Sequence, residues 1–502
     1  MGYNTAELAA NEIATETYLT LSGHRRNNVG RFLVAAATWV GSVVGIAAVA
    51  RADGAFPDAQ SVLLPRDRPN EIVLATNFGL VFSEDDGLTW TFTCETDAQT
   101  QGGYRYIVGP PSAAGPTGGV SGDRLFAVSV PPPGAPVSLD DGCSWTQAAG
   151  ALTDPGNPVL AFDVFPDPSD ASRVFLLGVP QSLPDAPGSV YRSLDGGLTY
   201  AGPLFTPPAG GSPTMTGVEV SASASGIVYV TWYERVGDHP HLARSTDGGD
   251  TWADVPVEAA LGPGKPYLAG VDPTDPQTVV LRLLGADGAA NPFEGLARTR
   301  DGGLTWTVPL RLPGGSLEGF VRRQDGTLVA IGTMSSADGP VPTSSFFEST
   351  DDGATFSTTP LAFHGKGLAE RDGTLFMATD NYKDLVALVS SEDGVTWKSR
   401  MRFDQISAIR ACVFATCQNA CDLLGGLTIF PPQTCDAPTD GGVGDASPRD
   451  AGVDKPGSAS GGCGCSAGGA SVRSPVQEQG LGGGTGLLAV AFGVARRRRR
   501  QC

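Results

Sequence analysis

The sequence predicts an all-β fold, a seven-bladed β-propeller with four-stranded blades, and three observations predict it. First, successive copies of one motif begin 55, 55, 52, 54, 50 and 41 residues apart, a period typical of repeat proteins. Second, the spacers carry strand-like runs without helical periodicity. Third, the motif itself, S/T-x-D-x-G-x-T-W/F/Y, occurs seven times, beginning at Ser83, Ser138, Ser193, Ser245, Thr299, Ser349 and Ser390.

The fourth unit illustrates how each blade is built. Residues 218–221, 227–233 and 241–244 are short runs rich in β-branched and aromatic residues, and a fourth run begins at Trp252 after the motif. Four strands per unit, repeated seven times, are expected to close into a ring, because closure leaves no long sheet edge exposed. We therefore expect the propeller to span residues 53–402.

Composition and charge fit this fold and exclude one class of partner. The 502-residue chain contains 68 glycines and 39 prolines and only 17% charged residues, as expected for many short strands joined by turns. Its net charge is −19, and the two ends carry +1 and +5, which leaves −25 for residues 53–465. A body of this charge repels nucleic acid and anionic membranes, so no nucleic-acid partner is expected.

The residue types of the motif suit a turn between two strands. The aspartate at position three can accept hydrogen bonds from turn amides, the glycine at position five supplies positive φ, and the aromatic residue at position eight can pack on a neighbouring blade. These residues resemble the Asp box of the sialidase-type (BNR) propellers, a group that includes sortilin, xyloglucanase and photosystem-assembly-factor repeats, over residues 61–402. The resemblance implies a structural role, remote from the ligand face, for the acidic residue at position three of each copy: Asp85, Asp140, Asp195, Asp247, Asp301, Asp351 and Glu392.

The amino-terminal segment has the layout of a secretory signal peptide. Arg25, Arg26 and Arg31 precede an apolar run over 32–50 that ends in an Ala-Arg-Ala sequence, which predicts cleavage near Asp53. The polar residues that precede the arginines indicate either an extended leader or a start further downstream, and the arginine pair is also a twin-arginine candidate. Residues 1–52 are assigned to this leader.

The carboxyl-terminal segment indicates sorting. A linker rich in Gly, Ser, Asp and Pro covers residues 436–462, and Cys463 and Cys465 follow it. Next come a short apolar run over 481–495 and five arginines over 496–500. Residues 463–502 resemble the tripartite sorting tail of myxobacterial surface proteins, which implies transient membrane insertion, processing near the cysteines and display at the outer cell surface. The alternative is a permanent single-pass anchor, for which fifteen apolar residues are short.

Cysteine usage agrees with export. The even number of cysteines outside the tail favours disulfide bonds in a secreted chain, and the absence of a Cys-x2-Cys pair or a nearby histidine argues against zinc. Partners cannot be assigned from spacing, and the last four cysteines define a Cys-rich closing segment over 403–435. The six residues are Cys94, Cys143, Cys412, Cys417, Cys421 and Cys435.

No catalytic constellation or cofactor motif is recognisable. Three arginines that could grip a substrate carboxylate, Arg192, Arg244 and Arg298, each lie directly before a motif copy and so at the wrong end of their strand. Tyr233 and Glu234 are adjacent, so their side chains point to opposite faces of a strand rather than towards each other. We expect no catalytic residue and no cofactor.

The candidate ligand residues belong to loops on the opposite face from the motifs. Histidines, lysines and tyrosines collect there, and binding residues commonly lie on loops held by a rigid scaffold. We expect them to line one end of the central channel. Asp238, His239 and His241 are residue types that bind metals, but no metal site is assigned because no further source of ligands is visible. The candidates are Glu234, Asp238, His239, His241, Lys265, Tyr267, His364, Lys366, Tyr382 and Lys383.

These observations together favour a non-enzymatic function. We expect a secreted, surface-displayed propeller that binds a glycan or a surface protein and that meets the export and sorting machinery on its way out. The alternative is an extracellular glycoside hydrolase of the sialidase or xyloglucanase type.

Overall fold

The computed structural model describes residues 3–4, 57–95, 97–98, 104–111, 123–129, 134–182, 186–286, 292–335 and 343–436. Strands make up 51% of these residues, and seven small sheets form a seven-bladed β-propeller, which confirms the predicted fold class. The expected leader, apart from residues 3–4, and the sorting tail lie outside the described residues, as does the linker apart from Asp436. No helix in the described part of the chain has the length and apolarity needed to cross a membrane.

Each blade is formed by consecutive strands. Blades 1 to 7 consist of β2–β5, β6–β9, β11–β14, β15–β18, β19–β22, β23–β26 and β27–β30. In chain order the strands are β1 (Tyr3–Asn4), β2 (Ala59–Leu63), β3 (Ile72–Thr76), β4 (Gly79–Ser83), β5 (Trp90–Cys94), β6 (Tyr104–Pro111), β7 (Asp123–Ser129), β8 (Pro136–Ser138), β9 (Thr146–Gln147), β10 (Ala149–Gly150), β11 (Val159–Pro166), β12 (Val174–Pro180), β13 (Ser189–Ser193), β14 (Thr199–Phe205), β15 (Pro213–Val220), β16 (Val228–Glu234), β17 (His239–Ser245), β18 (Ala253–Pro256), β19 (Gly264–Val271), β20 (Val279–Ala286), β21 (Pro292–Thr299), β22 (Thr307–Pro313), β23 (Ser316–Arg322), β24 (Leu328–Met334), β25 (Thr343–Ser349), β26 (Ser357–Pro360), β27 (Gly365–Arg371), β28 (Thr374–Thr379), β29 (Leu388–Ser391), β30 (Lys398–Met401) and β31 (Ile406–Ile409).

Three blades carry a fifth strand, which the sequence did not predict. β31 pairs in parallel with β5 of blade 1, β10 pairs in parallel with β14 of blade 3, and β1 pairs antiparallel with β23 of blade 6. The additional strands are short and lie at sheet edges. β1 belongs to the segment that was assigned to the leader.

Within each blade the four main strands are antiparallel, and the first strand is innermost, because first strands of neighbouring blades contact each other. The turns after the first and third strands therefore lie on one face of the ring, which we call the box face. The loops after the second strand and between blades lie on the other, which we call the loop face. The motif copies occupy the box face because each one joins a third to a fourth strand.

The hydrophobic core is divided among the interfaces between blades. Seven buried clusters are present, and each joins two neighbouring sheets. The motif aromatics contribute to them: Trp90 is buried in the cluster that joins blades 7 and 1, and Tyr200 in the cluster of blades 2 and 3. Trp252 packs on Phe205 of the preceding blade at a ring distance of 5.4 Å. Sheets that bury both faces against neighbours explain why second strands such as β3, β12 and β24 are almost entirely apolar or small.

Helix in the described part of the chain is confined to short pieces. The helices are α1 (Glu258–Leu261), α2 (Asn381–Asp384) and α3 (Phe414–Gly426), and 3-10 turns cover Ala151–Thr153, Phe403–Gln405, Ala411–Val413 and Pro432–Cys435. Only α3 exceeds one turn, and it belongs to the closing segment, where Cys417 and Cys421 form its buried side.

The closing segment fastens the two ends of the ring. No strand is exchanged between the four main strands of blades 1 and 7; instead, β31 crosses from blade 7 to the outer edge of blade 1. Disulfide bonds then join Cys94 with Cys417 and Cys143 with Cys412, so the segment is linked covalently to blades 1 and 2. The third bond, Cys421 with Cys435, lies within the segment. The predicted disulfide bonding of all six cysteines is confirmed, and the structure supplies the pairing.

Candidate functional site

The motif aspartates hold the box-face turns. In the fourth copy, Asp247 Oδ1 accepts hydrogen bonds from Ser245 Oγ at 2.8 Å and from the amide of Thr251 at 2.8 Å, and Oδ2 accepts from Thr251 Oγ1 at 2.6 Å. The bond from the Thr251 hydroxyl, followed by that from its amide, lowers the pKa of Asp247 to about 2. Both oxygens therefore serve the turn, as in the copies at Asp85, Asp195 and Asp351.

The seventh copy departs from the alignment of the sequence, and the assignment of Glu392 to the aspartate position is wrong. Asp393 Oδ1 accepts from the amides of Val395 at 2.9 Å and Thr396 at 2.6 Å, and Ser391 Oγ donates to the same oxygen at 2.9 Å. The turn from the aspartate to the threonine is one residue shorter than in the other copies. The acceptor must therefore stand one position later to reach the same amides.

Position four of the motif is also constrained, which the sequence analysis did not recognise. Asp86, Asp141 and Asp352 occupy this position in copies one, two and six, with φ values of 58°, 61° and 57°. In copies three to five the position is a glycine with positive φ. Aspartate and glycine tolerate left-handed backbone better than most residues. The preference for Asp or Gly at this position was visible in the sequence and follows from that conformation.

The arginines that precede the motifs connect neighbouring blades. Arg192 Nη1 donates to the carbonyl of Gly248 at 2.6 Å in the next blade, and Arg298 Nη1 donates to the carbonyl of Asp352. A Cβ added to Gly302 would lie 2.7 Å from Arg244 Nη1, so Arg244 fills the same place. The sequence analysis set these three residues aside as substrate ligands, and the contacts show what they do instead.

The same contact recurs around the ring with arginines that the sequence analysis missed. An arginine guanidinium contacts each motif turn. It comes from the preceding blade or, for the second copy, from the closing segment. In five of the seven turns the guanidinium donates to a backbone carbonyl at the tip of the turn, that of Asp86, Asp141, Gly248, Asp352 or Glu392. The further arginines in contact with these turns are Arg124 at Gly196, Arg323 at Glu392, Arg400 at Asp86 and Arg410 at Asp141.

Six of the candidate ligand residues lie on the loop face of blades 4 and 5. The His241 ring stacks on Trp232 at 3.6 Å, and its nearest carboxylates are Asp254 at 3.5 Å and Glu234 at 3.8 Å. His239 Nδ1 lies 2.6 Å from Glu258 Oε1 on α1.

Of the remaining members of this group, Lys265 and Tyr267 lie on β19, the first strand of blade 5, and Asp238 lies in the loop before β17 of blade 4. Lys265 Nζ lies 5.7 Å from the ring centre of Tyr233, and the Arg282 guanidinium lies 5.7 Å from that of Tyr267. The carbonyl of Asp238 accepts from the amide of Gly264 at 2.6 Å, which ties the blade 4 loop to blade 5. The contacts of Lys265 with Tyr233 and of Gly264 with Asp238 therefore join blades 4 and 5 across one interface.

The other four candidates lie on the loop face where blade 7 meets blade 1. His364 Nδ1 is 2.8 Å from Asp384 Oδ1, and Asp384 Oδ2 accepts from the His364 amide at 2.7 Å. Lys366 pairs with Asp58, and Lys383 Nζ lies 3.1 Å from Asp380. Tyr382, on α2, exposes 68% of its surface.

The structure does not bring all ten candidates to the channel. Lys265, Tyr267 and Lys366 are on first strands, whereas His239 and His241 are on β17, the third strand of blade 4. Blade 6 on one side and blades 2 and 3 on the other separate the two groups. The expectation that they line one end of the channel is therefore wrong for the histidines of blade 4, because the loop after a second strand returns to a third strand further from the axis.

The sequence analysis missed the acidic partners of these residues. Asp58, Asp380 and Asp384 hold the basic residues near blade 7, and Asp380 also caps α2 by accepting from the Lys383 amide at 3.2 Å. Burial raises the pKa of Asp58 even though Lys366 and the Asn381 amide favour its charged form. An Asp three residues before a Lys at a helix start was the available signal. Within the described ranges, no group of three or more His, Cys, Asp or Glu residues is placed to hold a metal ion.

Comparison with known proteins gives only distant similarities to solved structures. No protein-family model and no curated protein matches the sequence. Solved structures similar to it include the GH74 xyloglucanase from Xanthomonas campestris, at 16% identity and a TM-score of 0.35 over 70% of this chain and 73% of that chain. Others are YCF48 from Cyanidioschyzon merolae (12%, 0.40, 66% and 94%) and a Hadza microbial sialidase (16%, 0.34, 62% and 71%). At these scores the similarities carry no argument about activity, and the chain is a seven-bladed propeller on the strength of its own sheets.

Proposed function

We propose that this protein is a secreted, surface-displayed binding module that recognises a glycan or protein partner through the loop face where blade 7 meets blade 1. The observation that carries the proposal is the pair of exposed side chains on one loop: Tyr382 exposes 68% and Leu385 64% of its surface. Exposed tyrosines beside apolar neighbours are typical anchors of binding surfaces, because they offer large contact area at little loss of conformational freedom.

The charged residues around this pair support a preformed surface. The carboxylates of Asp58, Asp380 and Asp384 fix Lys366, Lys383 and His364 at the base of the same loop. Asp58 Oδ1 also accepts from the amide of Asn381 at 2.9 Å, so the helix that presents Tyr382 is tied to the start of blade 1. A loop held in this way loses little entropy when it binds.

The bonding of these carboxylates favours binding over hydrolysis. A glycoside hydrolase requires an acid and a second carboxylate that flank the bond to be cleaved. Both oxygens of Asp58 and of Asp384 are already engaged by a basic side chain and a backbone amide. The hydrolase remains the alternative, and the observation that favours it is that burial shifts the pKa of Asp58 upwards, the direction that a general acid requires.

We expect Tyr382→Ala to weaken binding of a glycan or surface-protein array hit by at least about tenfold, because truncating an aromatic anchor typically costs more than about 1.4 kcal/mol. The affinities of the purified wild type and variant would be measured by titration. Leu304→Ala is the matched control, since Leu304 is 70% exposed but lies on the box face, and it should change affinity less than about twofold.

Three outcomes decide between the functions. Equal affinities for wild type and Tyr382→Ala would contradict the assigned surface. Turnover of a glycosidic substrate that is lost in Asp58→Asn would favour the hydrolase. Saturable binding without turnover, weakened only by Tyr382→Ala, would support the binding module.

Export and display rest on the sequence of the two ends. If the tail resembles the myxobacterial signal in function as well as in layout, the mature protein should end near Cys465 and lack the arginines over 496–500. Mass spectrometry of the surface fraction would detect those arginines in place if processing does not occur. Cys463→Ser combined with Cys465→Ser should then retain the precursor in the cell envelope.

A further inference from the structure

A small cavity lies on the box face, where the first strands end around the channel. Its charged lining residues come from four blades, and Phe320 and other apolar side chains complete the wall. Glu219 and Arg322 lie at the ends of the first strands of blades 4 and 6, Arg66 and Asp272 follow those of blades 1 and 5, and Arg298 is on β21, the third strand of blade 5. The charged residues are Arg66, Glu219, Asp272, Arg298 and Arg322.

Each of the two carboxylates in this cavity accepts a hydrogen bond from a backbone amide. Glu219 Oε1 accepts from the amide of Val271 at 2.8 Å. Asp272 Oδ1 accepts from the amide of Thr274 at 2.8 Å, and Oδ2 pairs with Arg322. Both residues are buried, so their charges are held by fixed donors rather than by water.

The arginines retain donors that the protein does not use. Arg298 reaches Asp352 through Nη1 and Nη2, and its buried Nε has no acceptor among the described residues. Every contact of Arg322 with the described part of the chain is made through Nη1, to Asp272 and Asp352, which leaves its Nε and Nη2 hydrogens. A guanidinium carries five N–H donors in a planar fork that matches two oxygens of a carboxylate or phosphate.

We propose that this cavity binds a small oxyanion, a carboxylate or a phosphate group, with Arg298 and Arg322 as its donors. Phe320 provides an apolar contact for the rest of a small organic acid. The site lies on the opposite face from Tyr382 and is independent of the proposed partner surface. Residues 53–465 carry a net charge of −25, so long-range electrostatics do not attract an anion to this cavity. Binding of an anion must therefore come from the hydrogen-bond donors of Arg298 and Arg322.

The test uses inorganic phosphate and propionate as separate probes, titrated into the purified protein by calorimetry at an ionic strength held constant with sodium chloride. We expect saturable binding of at least one probe, weakened at least about tenfold by Arg322→Gln, because a charged bidentate donor is lost. Arg300→Gln is the matched control: Arg300 also pairs with Asp352, at 2.8 Å, but does not line the cavity. It should change the affinity less than about twofold.

A second variant tests the cavity without removing a charge. A Cβ at Gly270, which lines the cavity, would lie 3.6 Å from Phe320 Cε1, an ordinary contact, so Gly270→Val should fold and fill the space. We expect it to abolish binding of the same probe. Binding of phosphate alone or propionate alone identifies the class of ligand. No saturable binding of either probe, or equal affinities in the wild type, Arg322→Gln and Gly270→Val proteins, would overturn the proposal.

Discussion

Replacing Cys94, Cys143, Cys412 and Cys417 together by serine is expected to remove more stability than any other change considered, and to open the ring between blades 7 and 1. When one of the two long-range disulfides is present, the other closes only a short additional loop. That loop consists of the stretches 94–143 and 412–417. Loop-closure entropy then gives a loss of at most about 4 kcal/mol for each single pair and about 10 kcal/mol for both. The second figure is comparable with the whole stability of a domain.

Urea unfolding of the two double variants and the fourfold variant measures these losses. The Cys421→Ser and Cys435→Ser variant is the control, because that bond spans a sequence separation of only 14 and should contribute at most about 3 kcal/mol. The loss in the fourfold variant should exceed the sum of the losses in the two double variants. If the losses are simply additive or smaller, the closing segment does not fasten the ring through these bonds.

Replacing Arg410 by methionine is expected to destabilise the protein by about 3–5 kcal/mol, the usual loss when one partner of a buried ion pair is removed. Arg410 Nη2 donates to Asp141 Oδ2 at 2.6 Å and to Glu84 at 2.9 Å, and the guanidinium lies 4.1 Å from the ring centre of Phe82. Methionine keeps most of the apolar contact with Phe82 and loses the charge, so the variant isolates the ion pair.

The loss should depend on pH, and the direction is fixed by Glu71. Without Arg410, Arg68 is the basic partner left to both Asp141 and Glu71. Burial, followed by the charge of Asp141, raises the pKa of Glu71 to about 7, so Glu71 is protonated at pH 5 and ionised at pH 8. A raised folded-state pKa means stability that is lost as the pH rises through it. The penalty of Arg410→Met should therefore be larger at pH 8.

Matched unfolding curves at pH 5 and pH 8 check this prediction. Arg402→Met is a suitable control, because Arg402 directly precedes the closing segment, its side chain is about half exposed, and it forms an ion pair with the exposed Asp404 at 3.2 Å. It should change stability by less than about 1 kcal/mol at both values. A pH-independent loss in Arg410→Met would show that Glu71 and Asp141 do not share Arg68.

Sequence reasoning succeeded where one residue type has one local role. The motif placed a turn at every third-to-fourth strand junction, and six of its seven acidic residues are the acceptors of those turns. Glu392 failed because the same hydrogen bonds can be made from a neighbouring position when the turn is shorter, and Asp393 makes them. The ligand candidates lie on the loop face, but the distance of His241 from the axis depends on which strand follows its loop.

The sequence by itself determined the number of blades, the strand content and the disulfide bonding of six cysteines, because these follow from local repetition and composition. Only the tertiary structure decided which cysteines pair, that arginines bridge neighbouring blades, and that Arg298 and Arg322 meet at one cavity. These features join residues that are 14 to 323 positions apart. Their contacts are made only when the ring closes, because neighbouring blades then bring distant segments within hydrogen-bonding distance, and no local pattern encodes which segments will meet.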